Sequence, residues 1–310
     1  PEVQLSNDPD DARPVGGVRF DALTVEQPVA RPWIAWRRSA EIAEPAGVSG
    51  SAILVRGGHR QALALTSSWA QKTLPPKFAV RVPRLAFDPS NVRVSEPGAG
   101  FQPLPPLRVR SRARYVFYGR AGSEVVLAGR HDRVGSYEAG DQPLTVSTLA
   151  GSRVASWALP PFGQTGEWRF APSAPGFYAL DVDVGANAFA LLSANVPVAL
   201  DASKHAVGLI ASEGPLFVAV PPGADVFAVD VSGEGSAERV RAAVADPSGK
   251  TVWSEDGIAE TVRFSTTKAQ NGVWRIDLHR PSSGTFEDFR IDVRGVPGGF
   301  LFLSRDRYWQ

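Results

Sequence analysis

Apolar and polar residues alternate with a period of two along much of the C-terminal two thirds of the chain. Residues 177–184 place apolar side chains on one face and Asp181 and Asp183 on the other, and residues 289–294 repeat this pattern. Such alternation is typical of antiparallel strands with one buried face. We therefore predict half-buried β-strands in both segments.

The N-terminal part of the chain follows a different pattern. Between residues 18 and 94, short apolar runs such as 51–55 and 61–65 are separated by glycine-containing turns. The Gly-Gly-His-Arg stretch at 57–60 between these two runs predicts a β-hairpin. This region is interpreted as a separate β-rich unit.

One segment is ambiguous between helix and strand. Residues 238–245 are good helix formers, but the matching segment 144–148 is rich in β-branched residues. A glycine turn at 246–249 then leads into a second apolar run. We favour a strand and hairpin over a helix here.

Two similar stretches point to an internal repeat. Residues 166–170 (GEWRF) are followed by Pro175, and residues 272–276 (GVWRI) are followed by Pro281 at the same spacing. Each copy also carries a second, upstream tryptophan, and the four matched tryptophans are Trp157, Trp168, Trp253 and Trp274. We predict two tandem modules in which matched residues maintain the architecture and unmatched residues are the site candidates.

Prolines divide the β-rich N-terminal unit from the repeats. They concentrate at 97, 103, 105 and 106, where a central strand could not pair, and predict a linker at 95–108. The expected domains are an N-terminal β-rich unit with this linker (1–108), a first module (109–203) and a second module (204–310). With Gly 30 and Pro 26 marking frequent turns, the predicted fold is all-β: tandem jelly-roll-like β-sandwiches preceded by a smaller β-rich unit.

Charge and composition exclude several classes of protein. The net charge is only +1, which gives no electrostatic case for nucleic acid, and no apolar run is long enough for a membrane-spanning helix. The absence of cysteine removes disulfides, thiolate metal sites and thiol nucleophiles. Because the sequence begins at Pro1 and contains no methionine, we expect a fragment or a processed chain.

The usual catalytic motifs are missing. There is no G-x-S-x-G, H-E-x-x-H or strand-linked G-x-G-x-x-G motif, and the four histidines lack metal-ligand spacing. His131 and Asp132 are adjacent on a predicted loop, but the partners of a catalytic dyad usually come from distant elements. We assign no catalytic residues, metal ligands or cofactor, and leave a structural calcium ion open.

Aromatic residues outside the repeat offer the better candidates for a binding site. Sugar rings pack on exposed aromatic faces while nearby polar groups bind the hydroxyls. In a strand, positions 33 and 36 face opposite ways, so one of those two tryptophans would belong to the core. The candidate ligand-binding residues are Trp33, Trp36, Arg37, Trp69, Tyr308 and Trp309.

The second module resembles a known kind of domain. Its segments 216–223 and 231–235, the turn at 246–250 and the ending at 294–297 are similar to β-sandwich accessory modules at the C-termini of secreted glycoside-hydrolase-like bacterial proteins. These modules are in turn similar to bacterial pre-peptidase C-terminal domains. The resemblance implies a β-sandwich and an exported protein, but no ligand residue transfers from it.

The leading hypothesis is a non-catalytic, exported carbohydrate-binding or surface-interaction module, an accessory part of a larger carbohydrate-active protein. Its expected partner is a polysaccharide or a cell-surface glycan, with a protein partner as a second option, and its expected location is secreted, periplasmic or at the cell surface. The hypothesis predicts a shallow aromatic platform. One alternative is a glycan-active hydrolase or lyase with an interdomain site, and another is a structural spacer or adhesin segment.

Overall fold

The structure is a computed structural model, in which the chain divides into two compact units, Pro1–Pro83 and Arg84–Gln310. It describes the backbone of three strands in the first unit and both backbone and side chains from residue 82 onward, with a few gaps. The described ranges are 22–25, 49–56, 59–66, 82–95, 100–140, 142–224, 226–235, 237–266 and 269–310.

The first unit contains a three-stranded antiparallel sheet in the order β1-β2-β3. Its strands are β1 (Ala22–Val25), β2 (Ser49–Arg56) and β3 (His59–Thr66). Arg56 pairs with His59 across the turn, which confirms the predicted hairpin.

The second unit is built from strands, with a short 3-10 helix at Pro89–Asn91. This architecture confirms the all-β prediction. The strands are β4 (Val94–Ser95), β5 (Gln102–Pro103), β6 (Arg108–Gly119), β7 (Val125–Asp132), β8 (Leu144–Thr148), β9 (Arg153–Trp157), β10 (Thr165–Phe170), β11 (Gly176–Ala194), β12 (Val198–Asp201), β13 (Val207–Ile210), β14 (Gly214–Val220), β15 (Phe227–Gly233), β16 (Val240–Ala245), β17 (Thr251–Ile258), β18 (Val262–Thr266), β19 (Gly272–His279), β20 (Asp288–Arg294), β21 (Phe300–Phe302) and β22 (Tyr308–Trp309).

We call β5–β12 the first half of this unit and β13–β21 the second half. The strands of both halves join into one 17-stranded system with two layers. Sheet A runs β9-β8-β11-β6-β12-β21-β14-β19-β16-β17. Sheet B runs β10-β7-β11-β6-β13-β20-β15-β18.

Two long strands of the first half take part in both sheets. β6 changes sheets at Ser111, whose φ of 60° is a left-handed conformation that a serine rarely adopts, and β11 changes at a register shift that contains Gly185 (φ 56°). In the second half Ala211 (φ 44°) occupies the corresponding position between β13 and β14. Leu209 pairs with Val109 where the two halves meet in sheet B.

The core lies between the two sheets. Strand β19 shows how the sequence produces it: Trp274, Ile276 and Leu278 are buried, while the intervening residues point away. Across the layers, Phe227 of sheet B meets Trp274 of sheet A edge to face, with ring centroids 4.9 Å apart. The alternation along the strands thus becomes one shared apolar interior.

The two halves use the same pairing pattern. Phe117 of β6 pairs with Tyr178 of β11, and Val218 of β14 pairs with Trp274 of β19. The Tyr178 hydroxyl donates to the carbonyl oxygen of Ala174 at 2.7 Å, and the Trp274 indole donates to that of Gln270 at 2.8 Å, four residues upstream in both cases. These strands therefore occupy equivalent places.

The predicted match between Trp168 and Trp274 is consequently wrong. Trp168 lies in β10, which pairs with β7, whereas Trp274 lies in β19, which pairs with β14 and β16. The other matched pair does occupy similar surroundings: Trp157 packs on Phe170, which packs on Tyr178, and Trp253 packs on Phe264, which packs on Trp274. The centroid distances are 6.3 and 5.8 Å in the first trio and 6.1 and 6.1 Å in the second.

The ambiguous segment forms β16 and not a helix. It pairs with β17 and β19, and the amide of Gly249 donates to the carbonyl of Asp246 in the turn that follows. The strand and hairpin interpretation is confirmed.

The N-terminal boundary differs from the prediction. The described part of the expected linker, residues 95 and 100–108, lies in the second unit, whose first residue is Arg84: β5 pairs with the end of β11, and Leu107 is buried. Upstream, Phe87 meets Phe177 and Phe300 edge to face. The prolines in this region restrict the backbone without preventing it from packing against the sheets.

A second apolar cluster covers part of the outer face of sheet A. Val116, Phe177, Phe217 and Phe300 form its floor, and the segment around Phe87 lies against them. β4 and β22 pair with each other at the edge of this cover. Within the described ranges, no helix has the length and apolar character that a membrane crossing requires.

Candidate functional site

A groove of about 480 Å³ lies on the outer face of sheet A, mainly in the first half. Its volume falls in the range of small-ligand sites. It is lined by Arg112, Ala113, Arg114, Gln142, Pro143, Thr145, Arg153, Asp181, Val182, Asp183, Asp201, Ser203, Lys204, His205, Ala206 and Val207.

Cross-strand pairs form the floor of the groove. Arg112 is opposite Asp183 and Arg114 is opposite Asp181 in the β6–β11 pairing. The Arg112 Nε donates to Asp183 Oδ2 at 2.7 Å, and the Arg114 Nε lies 3.6 Å from Asp181 Oδ1. Next along the sheet, Thr145 of β8 is opposite Asp181. The floor is therefore an array of ionic groups.

The loop after β12 forms one wall. Asp201 Oδ1 accepts a hydrogen bond from the amide of Ser203 at 2.8 Å, which makes a tight turn and leaves Lys204 and His205 exposed. The Oδ2 atom of Asp201 lies 4.0 Å from the Arg114 Nε. This contact ties the wall to the floor.

The backbone change at Ser111 explains why this face is so polar. β6 contains four arginines at alternate positions, 108, 110, 112 and 114. Because the strand changes sheets at Ser111, the first two point outward from sheet B and the last two point outward from sheet A. The buried partners Tyr115 and Phe117 follow directly and fix the orientation of Arg112 and Arg114.

The groove offers hydrogen-bond donors and acceptors together. Guanidinium and ammonium groups can only donate, and the aspartates can only accept when ionised. The side chain of Arg112 is 84% exposed even though it contacts Asp183, so its remaining N–H groups face solvent. Such an arrangement can bind a ligand that both donates and accepts.

Of the residues predicted to bind a ligand, four lie outside the described residues: Trp33, Trp36, Arg37 and Trp69. Tyr308 is half buried, and its ring meets that of Phe302 with centroids 6.2 Å apart. Neither Tyr308 nor Trp309 lines the groove.

The ligand-binding prediction for Trp309 is not tested by the structure, which shows this residue largely buried. Only 2% of its surface is exposed, because its ring packs edge to face against Phe177, Phe300 and Phe302 in the second apolar cluster. It does border a smaller, mainly apolar pocket of about 230 Å³ that Phe87 also lines. Its main role in this structure is to cover sheet A, and it offers no open platform.

The predicted loop at His131 is also corrected. His131 and Asp132 lie in β7 and face opposite sides of the strand, so they form no dyad. Asp132 accepts from Arg130 at 2.6 Å, while His131 is buried with Nδ1 3.2 Å from the carbonyl oxygen of Pro160. Burial lowers the pKa of His131, only partly opposed by the Pro160 hydrogen bond and by Asp132.

The groove residues were missed by the search for aromatic and catalytic residues. The available signal was the alternation of arginines at 108–114, which places like charges on one side of a strand and needs opposite charges on the next. Asp181 and Asp183 showed the complementary alternation. Their pairing was not visible without the fold.

Among the described residues, no three His, Asp or Glu side chains come together in a group that could hold a metal ion. The aspartates of the groove face arginines, whose positive charges would repel a metal cation. Nothing in this part of the chain tests the structural calcium ion that the sequence left open.

Comparisons with known proteins complete the description. No family model and no curated protein matches the chain. Three of the solved structures to which the chain shows a low similarity are the M60 catalytic domain with the CBM51-1 and CBM51-2 domains of Clostridium perfringens ZmpB, the CBM22-1-CBM22-2 tandem of Paenibacillus barcinonensis Xyn10C, and the CUB1-EGF-CUB2 region of human MASP-1/3.

The first is 8% identical to this chain, with a TM-score of 0.24. The match covers 90% of this chain but only 43% of the Clostridium chain. The second is 10% identical with a TM-score of 0.21, over 73% of this chain and 98% of that one. The third is 10% identical with a TM-score of 0.18, over 63% of this chain and 98% of that one. None of the three is a pre-peptidase C-terminal domain, and TM-scores this low do not establish a shared fold or ligand.

Proposed function

We propose that this chain is a non-catalytic carbohydrate-binding module of an exported protein, and that the groove on the first half binds the glycan. The supporting observation is the groove itself, about 480 Å³ in volume, where four basic and three acidic side chains line one surface. Sugar hydroxyls donate and accept hydrogen bonds, so a polyhydroxylated chain can use both kinds of group.

The groove binds by hydrogen bonds and charge instead of by stacking. None of its described lining residues is Trp, Tyr or Phe, so the shallow aromatic platform expected from the sequence is not part of this groove. Thr145 and Ser203 add hydroxyls next to the ionic groups. Water displaced from such a surface has to be replaced by equivalent hydrogen bonds, which favours a polar ligand.

Hydrolysis is the weaker proposal. A glycosidase needs one protonated carboxyl group as acid and a second carboxylate as nucleophile or base. The three aspartates of the groove each lie within 4.0 Å of an arginine, so none is free of an ion-pair partner. We therefore assign recognition to the groove and not turnover.

A blocking substitution tests the proposal. Gln142 is exposed at the rim, and Gln142→Trp should fill the groove without disturbing buried contacts. Ser254→Trp, at an exposed position of β17 in the second half, is the matched control.

The chain and both variants would be screened on a glycan array, with release of reducing ends assayed on each bound glycan. Binding that is lost in Gln142→Trp and kept in Ser254→Trp supports the groove as the site. Release of reducing ends would show that the protein is catalytic and reject the non-catalytic proposal. Binding that survives Gln142→Trp would show that the glycan binds outside the groove.

A further inference from the structure

The charges in the groove are not equally engaged. All three aspartates are neutralised from within: Asp183 by Arg112, and Asp181 and Asp201 by Arg114. Backbone amides of Gly185 and Ser203 donate further hydrogen bonds to Asp183 and Asp201, at 3.1 and 2.8 Å. The acceptors of the groove are thus largely used by the protein.

Two cations remain without such partners. Arg153 of β9 and Lys204 of the loop after β12 are exposed, and neither has an ion pair or side-chain hydrogen bond to another described residue. They come from different elements, yet both line the groove. The unused charge that the groove presents to a ligand is therefore positive.

We propose, building on the carbohydrate-binding function above, that the preferred ligand is an acidic polysaccharide whose carboxylate or sulfate groups pair with Arg153 and Lys204. A guanidinium binds either anion in a bidentate manner, and an ammonium binds it as a point charge. The sugar hydroxyls contact the aspartate and arginine floor. A polyanion without hydroxyls suits the groove less well, because it has no O–H group to donate to the aspartate oxygens of the floor.

Matched pairs of polysaccharides provide the probes. Polygalacturonate and its fully methyl-esterified form differ in the methyl ester that removes the carboxylate charge, and dextran sulfate and dextran differ in the sulfate groups. Comparison of the two pairs shows whether carboxylate or sulfate is preferred. Single-stranded DNA serves as a polyanion with a different backbone.

Two double variants separate specific contacts from net charge. Arg153→Ala with Lys204→Ala removes the two unpaired cations of the groove. Arg93→Ala with Lys250→Ala removes one arginine and one lysine that are exposed and lie outside the groove. Both variants lower the net charge equally, and circular dichroism checks that each remains folded.

The expected result is binding to at least one acidic polysaccharide and about tenfold weaker binding to its neutral counterpart, since two charge-assisted contacts are lost. Arg153→Ala with Lys204→Ala should lower the affinity for the acidic form by the same factor, and the control should not. The affinity should also fall when NaCl rises from about 0.05 M to about 0.5 M, because exposed charges are screened.

Three results would overturn the inference. Equal binding to the charged and neutral members of a pair, lost in Gln142→Trp but not in the double variant, would preserve the carbohydrate-binding function and reject the acidic ligand. DNA binding as tight as that of the acidic polysaccharide would reject sugar recognition in favour of general polyanion binding. Binding to none of the probes would reject the acidic ligand, and the glycan array described above would then decide whether the carbohydrate-binding function stands.

Discussion

The two halves of the second unit share a framework but differ on the outer face of sheet A. In the first half, Thr145, Arg114 and Asp181 lie side by side on strands β8, β6 and β11. In the second half, the positions with the same pairing carry Ala243, Pro215 and Asp277. Only the aspartate is common to both.

This difference shows which part of the repeat is constrained. Side chains that point between the sheets must fill the core, so the rings around Tyr178 and Trp274 form similar trios. Side chains that point outward are free of that requirement and can specialise. The groove lies mainly on the first half, where Arg114 and Thr145 hold the places of Pro215 and Ala243.

The largest expected effect tests the equivalence of Tyr178 and Trp274. Both rings are buried, so Tyr178→Ala and Trp274→Ala should each lower the free energy of unfolding by about 3–5 kcal/mol. Denaturant titration measures both, with the exposed Arg169→Ala as a control. A loss below about 1 kcal/mol for one of them would break the comparison, because surface substitutions cost that little.

The next effect concerns the contact between the halves. Leu209 is fully buried opposite Val109, and Leu209→Ala should cost about 2–5 kcal/mol. Because sheet B continues through this pair, hydrogen exchange should become faster in β7 of the first half and in β15 of the second. Acceleration confined to the second half would show that the halves unfold separately.

A smaller effect distinguishes the halves by pH. His131 pairs with Phe189 in the first half, whereas Gly233 pairs with Phe289 in the second, so only the first half buries a titratable group there. Burial lowers the pKa of His131, so the folded state binds fewer protons than the unfolded state. The contribution of His131 to the free energy of unfolding should be fully present above pH 6.5, the ordinary pKa of histidine. It should decline as the pH falls from there towards the lowered pKa of His131 in the folded state.

The measurement is the free energy of unfolding between about pH 7.5 and pH 5.5, a range in which histidine titrates and most carboxyl groups do not. His131→Gln should flatten the dependence. A dependence that stays unchanged in this variant would assign it to other groups.

The smallest effect separates binding from folding within the groove. Arg153→Ala with Lys204→Ala should change the free energy of unfolding by no more than about 0.5 kcal/mol, since both side chains are exposed and unpaired. Arg114→Ala should cost up to about 1 kcal/mol because Asp181 and Asp201 lose their partner. Thermal or chemical unfolding compares the two; a large loss for the double variant would make those cations structural.

The fold class and many strands follow from the sequence, because alternation with a period of two is a local property. The correspondence between residues of the two halves does not follow from the sequence. Residues 166–170 and 272–276 share glycine, tryptophan and arginine at the same spacing, yet they occupy β10 and β19. The partner of a strand depends on the long-range topology, and a similar local pattern fits either place.

The groove was harder to predict for a related reason. It depends on Ser111, where a single left-handed residue sends the arginines before and after it to different sheets. A serine in this conformation has no sequence signature, since glycine or asparagine is the usual choice. The burial of Trp309 could not be read from the sequence either, because it depends on the segment around Phe87, more than 200 residues away in the sequence.

The continuity of the two sheets also determines how the protein can be shortened. A cut between residues 203 and 204 would separate β12 from β21 and β6 from β13, and each fragment would expose unpaired strand edges in both layers. Such edges recruit other strands and promote aggregation. The smallest piece that retains the groove should therefore begin near Arg84 and extend to the final residues, although most of the residues that line the groove belong to the first half.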